Sequence, residues 1–80
     1  MIRQVPFHDR LVAAMNDREL SIDRLAHASG IGARSIARYR KGQIVPVDAY
    51  GRPSPNAYAL AAALDMDVTE LMGEPEAMAS

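Results

Sequence analysis

The sequence predicts an all-α domain of five helices, with one extended connection between the third and the fourth. Three observations carry that expectation. Apolar residues recur at three- and four-residue spacing from Phe7 to Leu71, and no stretch makes a convincing strand. Helix starts and stops punctuate the chain at Ser21, Gly30, Gly42, Ser54–Pro55 and Asp67. The chain has 80 residues, 49 % of them hydrophobic, with no cysteine to staple them, so residues 1–80 read as one small domain held by helix packing.

Each element has its reason. Leu11, Val12 and Met15 form a stripe behind Phe7, which predicts a first helix from about Phe7 to Arg18. Ser21 is a good N-cap for a second helix carrying Ile22, Leu25 and Ala26, and Ser29–Gly30 stops it. A third helix is expected to begin after Gly32 and run through Ile36 and Tyr39 to Gly42. Gln43 to Pro55 then holds three prolines, Gly51 and the strand-prone Ile44, Val45 and Val47, a long connection for so small a domain. Ser54 as cap and Pro55 at the first helical position restart the pattern, with Tyr58, Leu60, Ala61 and Leu64 lining a fourth helix. Asp67 and Glu70 ahead of Leu71 make a capping-box start for a short fifth helix, and residues 74–80 are expected to fray.

The net charge of −1 conceals a sharp division. Residues 24–52 hold Arg24, Arg34, Arg38, Arg40, Lys41 and Arg52 against Asp48 alone, whereas residues 65–80 hold five acids and no base. A basic middle with an acidic tail suits a partner that is itself an anion. Several classes are disfavoured. Two histidines without cysteine make a poor zinc set, and no cofactor is expected. His8 and Asp9 are neighbours, and neighbouring helical residues do not face each other, so they are not expected to pair as a base and its orienter. With neither a placed nucleophile nor a glycine-rich loop, an enzyme is not expected. The longest apolar run, Ala57 to Leu64, is eight residues against the roughly 20 of a membrane helix, and no basic-then-apolar leader opens the chain; the expectation is a cytoplasmic protein.

The informative stretch is Ile22 to Lys41. Two helices crossing through a short turn need a small residue where their backbones approach, here Ala26. They need one that tolerates positive φ at the corner, here Gly30, and apolar residues that lock them together: Leu25, Ile31, Ile36 and Tyr39. Leu20 to Ala26, Gly30 to Arg38, Gly42, Pro53–Ser54 and Leu60 to Leu64 together resemble the lambda-repressor-like (XRE-type) helix-turn-helix family over roughly Leu11 to Leu71. Three positions depart from the family pattern: Ile22 stands where a glutamine contacts DNA, Gly32 where a serine caps helix three, and Arg40 where a glutamate is frequent. The loop from Gly42 to Pro53 is also longer than usual.

The resemblance implies a DNA-binding transcriptional regulator, and among regulators a repressor, whose third helix lies in the major groove. It would present Ala33, Arg34, Ser35 and Arg38 to base edges, with phosphate contact the alternative for Arg34 and for Arg38. Ser21, Gly32, Arg40, Lys41 and Gln43 would meet the sugar-phosphate backbone, with Tyr50 and Arg52 joining them from the long loop. The expected partner is double-stranded DNA, bound by a homodimer that is weak off DNA and uses a patch of Leu71 and Met72, with Met66 beside it. Met66, Met72 and Met78 read as core or interface filler. Two other functions remain open at this level: a helical protein-interaction domain that binds no DNA, and the DNA-binding antitoxin of a toxin pair.

Overall fold

Helix α1 spans Phe7–Asp17, α2 Ile22–Ser29, α3 Ala33–Arg40, α4 Pro55–Ala63 and α5 Val68–Met72 in a computed structural model that describes residues 5–73. The expected fraying of residues 74–80, and Met78 with it, lie outside the described residues. Among the described residues the chain is helical with no strand, as the periodicity implies, and every helix boundary falls within about two residues of its expected place.

The helix ends explain the boundaries. Ser21 Oγ accepts from the Arg24 N–H at 3.2 Å and caps α2. At α5 the Asp67 N–H donates to Glu70 Oε1 at 3.0 Å, the capping-box contact. Ser54 departs from expectation: its side chain makes no cap bond, and its carbonyl instead accepts from the Ala57 N–H at 2.9 Å beside Pro55. Three helices close with the same pair of bonds. After α3, Gly42 N–H donates to Tyr39 O at 3.1 Å and Gln43 N–H to Arg38 O at 3.0 Å. Glu19 after α1 and Asp65 after α4 take the corresponding left-handed position at φ 52° and 56°, where glycine is usual.

The core is one cluster. Leu11, Met15, Leu25, Ile36, Leu60, Leu64 and Leu71 are fully buried, each contributing about 1.5–3 kcal/mol of transfer free energy. Phe7 meets Tyr39 edge-on, ring centroids 6.0 Å apart, joining the start of α1 to the end of α3. Helix α2 packs on α3 and α4, α4 on α5, and α1 on α3 and α5. Two side chains lie differently from expectation. On α4 the buried stripe is Ala57, Leu60, Ala61 and Leu64, so Tyr58, one position off it, is 56 % exposed. Leu71 is fully buried beneath α1 and α4, and the expected dimer patch of Leu71 and Met72 does not exist as such.

Two arginines fasten this frame. Arg10 donates through Nε to Val5 O at 3.0 Å and through Nη1 to Glu70 O at 3.1 Å. Arg18 donates through Nε to Leu64 O and through Nη1 to Ala14 O at 3.2 Å. The Glu70 and Leu64 carbonyls lie in or just beyond final helix turns, which lack partners within their own helix, whereas Val5 O precedes α1 and Ala14 O also accepts the Arg18 N–H.

Candidate nucleic-acid interface

The corner between α2 and α3 is built residue by residue. Gly30 adopts φ 76° and returns its N–H to Ala26 O at 2.9 Å, closing α2. Ser29 Oγ accepts from the Ile31 N–H at 3.2 Å and orients the turn, while Ile31 enters the core at 8 % exposure. A Cβ on Gly30 would meet no atom within 4 Å, so the glycine serves the backbone angle and not a close approach. Gly42 serves both: at φ 76° its added Cβ would stand 3.0 Å from His8 Nδ1. Gly32 caps α3 without a side chain, so the first amides of that helix carry no side-chain acceptor.

Helix α3 has two opposed faces. Ile36 and Tyr39 are buried, and Asn56 Nδ2 donates to the Tyr39 hydroxyl at 3.0 Å, pinning the helix to α4. Arg34 and Arg38, one turn apart, are exposed on the outer side with Lys41 beyond them; Ala33 and Ser35 flank them, half-buried. Among the described residues the ion pairs are His8 with Asp9 and Arg18 with Asp17, so none of Arg24, Arg34, Arg38, Arg40, Lys41 and Arg52 has a carboxylate partner. Like charges at four-residue spacing destabilise a helix by about 0.2–0.5 kcal/mol, and no carboxylate among the described residues pairs with Arg34 or Arg38 to offset it.

The expected backbone-contacting residues separate into three places. Ser21, Gly32, Lys41 and Gln43 are exposed around the two helix starts and the end of α3. Arg40 is different: it lies half-buried on the flank toward α1, and its Nε is closed to solvent without an acceptor among the described residues. Tyr50 and Arg52 stand apart, on a loop that proves to be ordered. Val47 and Pro53 form an isolated antiparallel bridge, with Asp48 N–H donating to Arg52 O at 2.8 Å and Ser54 N–H to Pro46 O at 2.9 Å. Pro46 is buried and Ile44 packs on the core, whereas Tyr50 at the tip is 84 % exposed with the Arg52 guanidinium 5.9 Å from its ring centroid. Val45, Val47, Gly51 and Pro53 of the hairpin share a pocket with Phe7, Met72 and Gly73.

Asp48 organises this tip, a role that its sequence position did not reveal. Its Oδ1 accepts from the Tyr50 N–H at 2.8 Å and the Arg52 N–H at 2.9 Å. Those two bonds, Arg52 first, hold its carboxyl below the ordinary aspartate value. A depressed folded pKa contributes order that is fully present above the unfolded value, near ~3.9, and is lost as pH falls through the folded one. Protection of the Tyr50 and Arg52 amides, relative to intrinsic exchange at the same pH, should therefore fall on acidification below pH ~4, and Asp48→Ala, which removes the acceptor, should show that low protection without the pH step. Equal protection in both proteins at neutral pH would show that the backbone bridge alone orders the tip.

His8 and Asp9 do meet, with Nε2 3.3 Å from Oδ1, contrary to the expectation from their adjacency. The side chains are 40 % and 60 % exposed, so the contact sits at the surface at the start of α1. The other ring nitrogen lies against Gly42, so the histidine reads as a packing residue. His27 is exposed on α2. Among the described residues no group of three His, Cys, Asp or Glu side chains could hold a metal, and no helix is long and apolar enough to cross a membrane. No family model, curated protein or solved structure matches the chain.

Proposed function

We propose that the chain is a sequence-specific double-stranded DNA-binding transcriptional regulator, acting as a repressor in the cytoplasm without catalysis or cofactor. The observation that carries the reading is the pair Arg34 and Arg38, exposed on the outer face of α3 with no carboxylate partner among the described residues, on a helix whose other face is locked into the core. A rigid helix bearing unpaired forked cations is what base-edge recognition in a major groove requires: guanidinium groups bond guanine O6 and N7 in pairs, and Ser35 and Ala33 supply a hydroxyl and a methyl contact beside them. The Ser21 hydroxyl keeps its proton free to donate while its oxygen caps α2. Amides at the starts of α2 and α3 favour phosphates there, and Lys41, Gln43 and Arg40 extend the same track.

On DNA the protein is a homodimer, weak in free solution, because one module reads only a short half-site. With Leu71 buried, the partly exposed Met72 beside Val45 and Val47 supplies the contact, a patch small enough to keep the free dimer weak. In vitro selection of bound duplexes tests the whole reading. It should return a palindrome with half-sites about one helical turn apart, holding two protomers and losing affinity steeply with salt. Failure to retard any duplex at low salt would sink it.

The hairpin is a second contact to the backbone in this reading. Its tip presents the exposed Tyr50 phenol and the Arg52 guanidinium, on backbone amides held by Asp48. Replacing Tyr50 and Arg52 together with alanine should leave the melting temperature nearly unchanged while weakening all duplexes alike and lowering the salt slope by about one. Unchanged binding with a lower melting temperature would mean that the tip serves the fold.

A further inference from the structure

We propose that the notch between α1, α2 and α3 is a binding site for a small carboxylate with a short aliphatic tail. The notch has a volume of about 220 Å³ and is lined by Val12, Ile22, Ala37, Arg40 and Lys41. Its composition sets the ligand class. Val12, Ile22 and Ala37, one from each helix and all half-buried, make a hydrocarbon floor. Arg40 and Lys41 place two cations at its edge, and neither has a carboxylate partner among the described residues.

The Arg40 Nε is closed to solvent and has no acceptor among the described residues, and an anion drawn to the same guanidinium offsets that cost. Other ligand classes fit less well. Inorganic phosphate would leave the three aliphatic side chains without a partner. An amino acid would bring an ammonium to a notch whose lining holds no carboxylate, and a nucleotide base would find no aromatic ring to stack on. Since Arg40 and Lys41 also belong to the proposed phosphate track, a bound carboxylate would weaken DNA binding; that consequence alone rests on the DNA-binding reading.

The test reads the notch directly, without DNA. Amide spectra of the whole chain are titrated with hexanoate, propionate, inorganic phosphate and hexylammonium. Hexanoate should give saturable shifts centred on Val12, Ile22, Ala37, Arg40 and Lys41. Each added methylene, fully buried, should tighten binding about fourfold, so that hexanoate exceeds propionate by about 60-fold. Hexylammonium should not bind, and phosphate should bind more weakly than hexanoate. Ile22→Trp, which fills the notch, should abolish the response in a protein still helical by circular dichroism, and Arg40→Gln should lower affinity about tenfold if the tryptophan variant does not fold. Equal responses to hexanoate, propionate and phosphate, or shifts shared with Arg34 and Arg38, would reduce the site to general anion attraction and overturn the proposal. Competition between hexanoate and duplex is measured separately, so a failure to bind DNA leaves the spectral result standing.

Discussion

Arg34→Ala is expected to relax selection at one base pair and to weaken the preferred duplex by about 1–3 kcal/mol, roughly 5- to 150-fold. The guanidinium is exposed at the start of α3 and takes part in no hydrogen bond or ion pair among the described residues, so its removal leaves the fold intact. Relief of repulsion with Arg38 one turn away should leave the melting temperature unchanged or slightly raised. Lys41→Ala, on the same outer side at the helix end, should behave differently: all duplexes weaken alike, and the salt slope falls by about one unit. Competition binding against a set of single-base operator variants, repeated at two salt concentrations, separates the two patterns. If Arg34→Ala left both affinity and preference intact, α3 would not be the reading helix.

How much of this was legible depended on how local the physics is. Ser21, Gly30 and the Asp67–Glu70 pair act within three or four residues of themselves, and the structure has each in the expected place. Ile36 and Tyr39 follow from helical spacing and are buried. Other features needed the third dimension. Glu19 and Asp65 close α1 and α4 in the left-handed conformation without glycine, because Leu20 and Met66 immediately after them pack onto the core and hold the turn. Leu71 looked like surface at the edge of an acidic tail, yet contact of α5 with both α1 and α4 buries it completely. The arginines divided in the same way. Arg10 and Arg18 reach carbonyls about 60 and 46 residues along the chain, separations no local pattern encodes, while the cations without a carboxylate partner among the described residues are the ones that charge clustering marks. The hairpin was legible as extended chain but not as ordered chain, since a single carboxylate, Asp48, supplies the order.

Leu25→Ala is expected to remove function by the opposite route, through the fold. Leu25 is fully buried on α2, which packs against both α3 and α4, so truncation leaves a cavity where the helix-turn-helix joins the rest of the domain. The cost is about 2–5 kcal/mol. A chain of this size has a total stability of about 4–12 kcal/mol, and the melting temperature should fall by roughly 10–30 °C. The folded fraction that survives still carries Arg34 and Arg38 correctly placed, so its sequence preference should be unaltered. Duplex binds only the folded state in this reading, and at one hundred times its dissociation constant it should restore about 2.7 kcal/mol. Thermal scans with and without selected duplex therefore distinguish the two variants. Leu25→Ala should melt low and recover with DNA, while Arg34→Ala should melt normally and gain markedly less. A Leu25→Ala protein that melted like the parent would mean that α2 does not hold the corner, and the positioning of α3 would need another cause.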